Sequence, residues 1–321
     1  MDLLEKVFEG VSLSREDIIY LLDLPCDSNE VKRLGEYARK ISKEYGENKG
    51  KVWGAIGLDY SNCKMNCSFC SLGEKWNQID EKYELTDDEI LKISNRYIES
   101  GVDFFVIRTT EFYDFEKLKE HIKKLKKILP RETLFIVNTG DENSRRAEEL
   151  NKVGADIIYQ AIRLREGIDT NFDLSQREET IKIIKNSSCA LSQYLEPIGP
   201  EHSSEEIADR IIGIIEENTK ISGVMKRVSV ENTPKFKFGD LSDDKVAQIT
   251  AILRICLKDK VKDIVIHPYS KKAVDYGANV LVVDIGAIPR SSNVELEEWD
   301  LMTVDKAKKL LKESDYDVKS I

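Results

Sequence analysis

Eight short apolar runs, separated by amphipathic stretches, constrain this chain more than any other feature of it. They fall at 52–58, 104–107, 134–137, 157–162, 190–195, 224–230, 264–266 and 280–283. Stretches of helical periodicity, such as 115–129 and 204–217, lie between most of them. Strands this uniformly apolar are covered on both faces, which is the pattern of a parallel sheet with helices outside it. Eight strand–helix units close a barrel, and the 321 residues exceed the roughly 250 that such a barrel takes. The expected fold class is therefore α/β, a (β/α)8 TIM barrel over residues 51–321. Residues 1–50 read as a helical extension. Ser14 is placed to cap one helix, Asp27-Ser28-Asn29-Glu30 opens another, and Gly46-Glu47-Asn48-Lys49-Gly50 ends it.

Acids outnumber bases by 59 to 49, so a basic nucleic-acid footprint is not expected. No apolar run approaches the roughly 18 residues of a membrane span. The amphipathic start is unlike a signal peptide, and a cytoplasmic protein is expected. Of six cysteines, three fall within eight residues and three stand alone. A disulfide framework would be distributed differently, whereas a metal site in a reducing compartment suits this pattern.

The three clustered cysteines lie in Asp59-Tyr60-Ser61-Asn62-Cys63-Lys64-Met65-Asn66-Cys67-Ser68-Phe69-Cys70, directly after the first apolar run. Barrel active sites are built from the loops at the C-terminal strand ends. Thiolates at C-x3-C-x2-C can hold three corners of a cubane and leave one iron open to another ligand. A structural zinc loop needs four ligands, with Cys26 the candidate fourth, and three buried unliganded thiols are the remaining alternative.

With Phe69 just before its last cysteine, the motif resembles that of the radical S-adenosylmethionine (SAM) superfamily. Residues 52–285 look like its biotin synthase branch, which includes [FeFe]-hydrogenase maturases and methylornithine synthases. The resemblance implies a barrel of the radical SAM type. It implies a [4Fe–4S] cluster on Cys63, Cys67 and Cys70, whose open iron binds SAM. Reductive cleavage of SAM then yields a 5′-deoxyadenosyl radical that abstracts a substrate hydrogen. Glu111, in Thr109-Thr110-Glu111, stands where the family's acid holds the methionine amino group, although the family's glycines are replaced. Arg177 stands where an arginine meets the methionine carboxylate. Phe69, Gln160, Ile198 and Gly199 complete the implied cofactor-binding set, the last two in a turn that packs beside the adenine. Asp275-Tyr276-Gly277-Ala278-Asn279-Val280 resembles the stretch that enters the last strand of a complete barrel.

Biotin synthase holds a second cluster on inner-strand cysteines and an arginine. The matching positions here read Ile107-Arg108 and Val137-Asn138. Cys26, Cys189 and Cys256 are expected to be core thiols, so one cluster is expected and sulfur insertion is disfavoured. His267 follows the seventh run, near the family arginine, and is the catalytic candidate, able to shuttle protons or bind substrate. His202 is a weaker candidate, and His121 is expected to be solvated. Lys226, Arg227 and Arg254 could line a cationic interior suited to a carboxylate. Arg290-Ser291-Ser292-Asn293 resembles a lipoyl synthase motif without its cysteines.

The expected activity is radical chemistry on a small molecule in cofactor biosynthesis, with the guanylylpyridinol cofactor of [Fe]-hydrogenase as the candidate product. An archaeal-type lipoyl synthase component and a methylornithine-type mutase are alternatives; a non-catalytic metal-binding protein is an alternative of another class. Reduced ferredoxin or flavodoxin is the expected electron donor. Anaerobic reconstitution should load about four irons per chain. Single Cys→Ala changes at 63, 67 or 70 should abolish that iron, whereas changes at 26 or 256 should leave it, as measured by iron content and visible absorbance.

Overall fold

The computed structural model describes residues 3–291 and 293–319. Its barrel strands are β1 (Lys49–Gly57), β2 (Phe104–Arg108), β3 (Leu134–Asn138), β4 (Ile157–Tyr159), β6 (Ser222–Lys226), β7 (Ile264–His267) and β8 (Val280–Ala287). Between β4 and β6, two short pieces, Ala190–Ser192 and Leu195–Ile198, form one bent strand, β5. Every pairing among these strands is parallel. The bend closes the ring. Ala190–Ser192 pairs with β4; Gln193 N–H then donates to Ile221 O, and Leu195–Ile198 pairs with β6 in an irregular register.

Alternation along each strand sorts side chains into two cores. On β2, Phe104 and Val106 point into the barrel, and Phe105 and Ile107 point toward the helices. The inner core is strongly aromatic. Tyr159 and Tyr194 stack at 4.4 Å, and Trp53 meets Tyr194 edge-on at 5.7 Å. These rings fill the lower barrel and leave its mouth to polar groups.

The helices follow local chemistry. α4 (Asp87–Glu99) starts at Thr86, whose hydroxyl accepts from Glu89 N–H while Glu89 accepts from Thr86 N–H. α5 (Phe115–Lys126), α6 (Ser144–Val153) and α7 (Leu174–Lys185) start at Asp114, Asn143 and Asp173, whose side chains accept from the first-turn amides. α8 (Ser204–Glu216) also starts with a capping box, at Ser203, and α9 (Asp243–Leu257) begins at Ser242. The N-terminal helices α2 (Arg15–Asp23) and α3 (Asn29–Tyr45) pack on α8 and α9.

Strands β1, β7 and β8 are joined at the base by one buried amide. Asn279 accepts from Ile264 N–H (2.8 Å) and Arg254 Nη2 (2.8 Å), and donates to Lys49 O (3.0 Å). Arg254, expected as a possible interior cation, instead spends its other donors on the carbonyls of Gly277, Val261 and Lys262. Higher up, β1 and β8 approach so closely that a Cβ on Gly57 would lie 1.9 Å from Ala287 O.

Asn279→Ala should therefore leave the buried Arg254 guanidinium and Ile264 N–H short of an acceptor. A loss of about 2–4 kcal/mol is expected. Urea denaturation checks this, with far-UV circular dichroism confirming that the fold is retained.

Candidate active site

The cysteine loop leaves β1 through a two-residue ladder, Asp59–Tyr60 against Tyr83–Glu84, and folds back on itself. Cys63 N–H donates to Leu72 O (2.7 Å) and Glu74 N–H to Cys63 O (3.1 Å). Backbone bonds then tie it to three other loops at the mouth. Ser68 N–H donates to Asp169 O, Lys235 N–H to Ser68 O, and Ser71 N–H to Pro289 O, all within 3.0 Å. Loops after β4, β6 and β8 thus hold the cysteines in place.

Cys63, Cys67, Phe69 and Cys70 line one cavity of about 200 Å³. Burial pushes all three thiols up, Cys70 to about 11, while the Arg163 guanidinium acts the other way on each. Such thiols stay protonated when free and ionise on taking a metal. Three thiols from one loop, all facing one cavity, are the donor chemistry that an iron–sulfur cluster takes. Cys26, the possible fourth zinc ligand, donates to Gln248 Oε1 (3.1 Å), and Cys189 points at Ala155 O (3.5 Å). Neither they nor Cys256 belong to the cavity lining.

Glu111 and Arg177 meet in the same cavity, with Glu111 Oε2 3.8 Å from Arg177 Nη2. Glu111 also accepts from Asp141 N–H (2.8 Å), and burial pushes its carboxyl up against the pull of Arg177. The preceding turn is held by Asp59, whose carboxylate accepts from Thr110 N–H (2.8 Å) and the Thr110 hydroxyl. A side-chain acceptor thus supports the turn where the family has glycines. Arg177 is 1% exposed, lies over the Phe172 ring at 3.5 Å and donates to Asp141 (2.8 Å). It is a buried guanidinium, not a solvated helix charge, and its Nε has no hydrogen-bond partner among the described residues.

On the opposite side, Asp284 of β8 accepts from Arg108 Nη1 (3.2 Å) and Arg290 Nη2 (2.6 Å). His267 Nε2 lies 3.0 Å from Asp284 and 2.5 Å from Arg290. Burial, reinforced by Arg290 and opposed by Asp284, pushes the imidazole down to about 4. His267 is therefore neutral at pH 7, with Nε2 facing both Asp284 and Arg290. Between the two sides, Glu196 is hydrogen-bonded by the Tyr159 hydroxyl and lies 3.7 Å from Arg163.

An α/β barrel whose mouth gathers three cysteines, an acid and an arginine defines a radical SAM enzyme. The chain belongs to the radical SAM superfamily, whose model matches residues 59–220. It is 21% identical to the biotin synthase of Persephonella marina over 265 residues, 79% of this chain and 76% of that one. It is 26% identical to that of Pelodictyon phaeoclathratiforme over 271 residues, 78% and 79% of the two chains. Two solved structures share the fold. A methylornithine synthase superposes with a TM-score of 0.83 at 19% identity, covering 99% of this chain and 98% of that one. HydG, an [FeFe]-hydrogenase maturase, superposes with a TM-score of 0.82 at 14% identity, covering 98% and 75%. The family implies an iron–sulfur cluster and SAM as cofactors.

Some expected site residues lie elsewhere. Gln160 is outside the cavity lining; its amide donates to Asp141 (2.7 Å) and so supports the carboxylate that Arg177 uses. The Ile198 side chain is in the outer core. Gly199 lies behind the wall, where a Cβ would fall 2.7 Å from Arg227 Nε. The wall at this turn is Glu196, Pro197 and Arg227, the last bidentate on Glu201 (3.0 Å each). His202 accepts from Gly199 N–H (3.1 Å), and His121 is buried at 5% exposure, contrary to its expected solvation. Ser292 lies outside the described residues. Sequence reasoning missed Arg163, Tyr159, Glu196 and Asp284 as cavity residues. One signal was available: β2, β3, β6 and β7 are apolar runs that end in Arg108, Asn138, Lys226 and His267, and all four line the mouth.

The His267 shift sets a pH dependence. Between about 4 and 6.5 the unfolded imidazole binds a proton that the folded one does not. Its stabilisation is therefore complete above pH 6.5 and declines as the pH falls toward 4. His267→Gln should flatten the fall in denaturation midpoint between pH 7 and 5, relative to wild type.

Proposed function

We propose that the protein is a cytoplasmic radical SAM enzyme of cofactor biosynthesis. Its cluster is of the [4Fe–4S] type, on Cys63, Cys67 and Cys70. A precursor of the guanylylpyridinol cofactor of [Fe]-hydrogenase is the first substrate to test. The observation that carries the reading is the convergence of three cysteines, Glu111 and Arg177 on one cavity at a barrel mouth. When bound, the cluster and SAM supply the reductive cleavage that starts radical chemistry.

The chain's own residues orient and enclose the reactants. Glu111 accepts from the methionine ammonium, and Arg177 gives its carboxylate a guanidinium held rigid by Asp141 and Phe172. Phe69 covers the cysteine side of the cavity. Trp53, Tyr159 and Met225 form its apolar floor and exclude water from below. His267, neutral and held between Arg290 and Asp284, contacts the substrate and can accept a proton from it. The aromatic filling of the lower barrel supports one cluster only. Electrons come from a reduced ferredoxin or flavodoxin, and no nucleic acid takes part.

Glu111→Ala and Arg177→Ala should each weaken SAM binding by about one to two decades, through loss of a charge-assisted contact of roughly 1.5–3 kcal/mol, with iron content intact. His267→Ala should lower substrate turnover on the order of 10²-fold while 5′-deoxyadenosine still forms. Calorimetric SAM titration and product analysis measure these. Iron content near eight per chain would overturn the single-cluster reading.

A further inference from the structure

The charges around the cavity are sorted by side. Glu111, Asp141, Glu166 and Glu196 gather with only two guanidiniums, Arg163 and Arg177. On the opposite side, Arg108, Lys226 and Arg290 line the cavity with one carboxylate, Asp284, which pairs with the two arginines. His267 adds no charge there. The first side suits SAM, whose ammonium and sulfonium are cationic and whose carboxylate has Arg177. The second side has a cationic surplus and no bound partner for it among the described residues.

Three features mark that surplus as a docking point for an anion. Arg290 Nε is buried without a hydrogen-bond partner among the described residues, while Nη2 faces Asp284 and His267. Lys226 ends β6 beside His267's neighbour Met225 and has no ion-pair partner among the described residues. Asp284 fixes both arginines, and the Trp299 ring lies 5.2 Å from the Arg290 guanidinium and packs edge-on to His267 at 5.6 Å. A guanidinium so held loses little freedom when an oxyanion arrives, so binding is charge-assisted at low entropic cost.

We propose that the substrate carries an anionic oxygen group, a carboxylate or a phosphate, which docks on Arg290 and Lys226 at this wall. The inference rests on the radical SAM reading of the same cavity and adds the chemical class of its substrate. Anchoring there leaves the rest of the substrate pointing across the cavity toward the cysteine side.

The test uses the anaerobically reconstituted protein with SAM bound, and malonate and inorganic phosphate as probes against chloride at equal ionic strength. Thermal unfolding midpoints titrate each anion. Malonate, phosphate or both should raise the wild-type midpoint saturably. A malonate response alone identifies a carboxylate substrate; a phosphate response alone identifies a phosphorylated one. Arg290→Met and Lys226→Met should each weaken that response about tenfold or more, whereas Lys43→Met, on the exposed face of α3, should match wild type. Lys226 has no partner to strand, so its variant remains informative if Arg290→Met folds poorly. Both variants should keep wild-type iron content and form 5′-deoxyadenosine. No saturable anion response in the wild type, or an undiminished one in Lys226→Met and Arg290→Met, would overturn the anion site alone. A wild type that takes up no iron and cleaves no SAM would overturn the enzyme reading beneath it.

Discussion

Parallel strands end together only if the sheet closes, and closure here depends on a single bent strand. Ala190–Ser192 continues the ladder from β4, and Leu195–Ile198 serves β6 in a shifted register. The bend at Gln193 and Tyr194 lets one chain segment satisfy two neighbours that a straight strand could not both reach. With the ring closed, the C-terminal ends of all eight strands converge on one opening. Residues as distant in sequence as Cys63, Arg177 and Arg290 then become neighbours. The bend also turns Tyr194 inward against Tyr159 and Trp53, so closure and the filled lower barrel are one event.

Above that apolar floor, charge has to be buried, and unpaired buried charge is strongly unfavourable. The protein meets this with pairs anchored in secondary structure. Arg227 is bidentate on Glu201, Arg177 is held by Asp141, and Asp284 sits between Arg108 and Arg290. Each pair is complete enough to be rigid, yet Arg177 Nε and Arg290 Nε have no hydrogen-bond partner among the described residues. Rigid donors with spare hydrogen-bonding capacity suit reactive chemistry, because they can hold a ligand without reorganising around it. The cysteine loop obeys the same logic with backbone bonds. Three loops from other strands fix it, and its cysteines are thereby held on the cavity.

Parts of this were plain in the amino-acid order. Strand and helix alternation follows from local hydrophobic period, and each of the eight apolar runs contains or overlaps a barrel strand. The cysteine spacing is local chemistry within eight residues, and it needs no partner to be recognised. Glu111 and Arg177 were legible as residues of the mouth because their places relative to β2 and β4 are set by chain order.

Tertiary structure decided what lies between elements. Whether Gln160 faces the cavity or supports Asp141 depends on a turn 19 residues away, which no period encodes. Ile198 and Gly199 fell behind the wall because β5 shifts register by the bend, and a register change moves every following side chain. His121 looked like a surface residue on a charged helix, yet Tyr113 and Asp87 bury it. Asp284 reads in sequence as one acid inside an apolar strand. Only the folded barrel brings Arg108, His267 and Arg290 to it from three other segments, because electrostatic pairing is a property of distance in space.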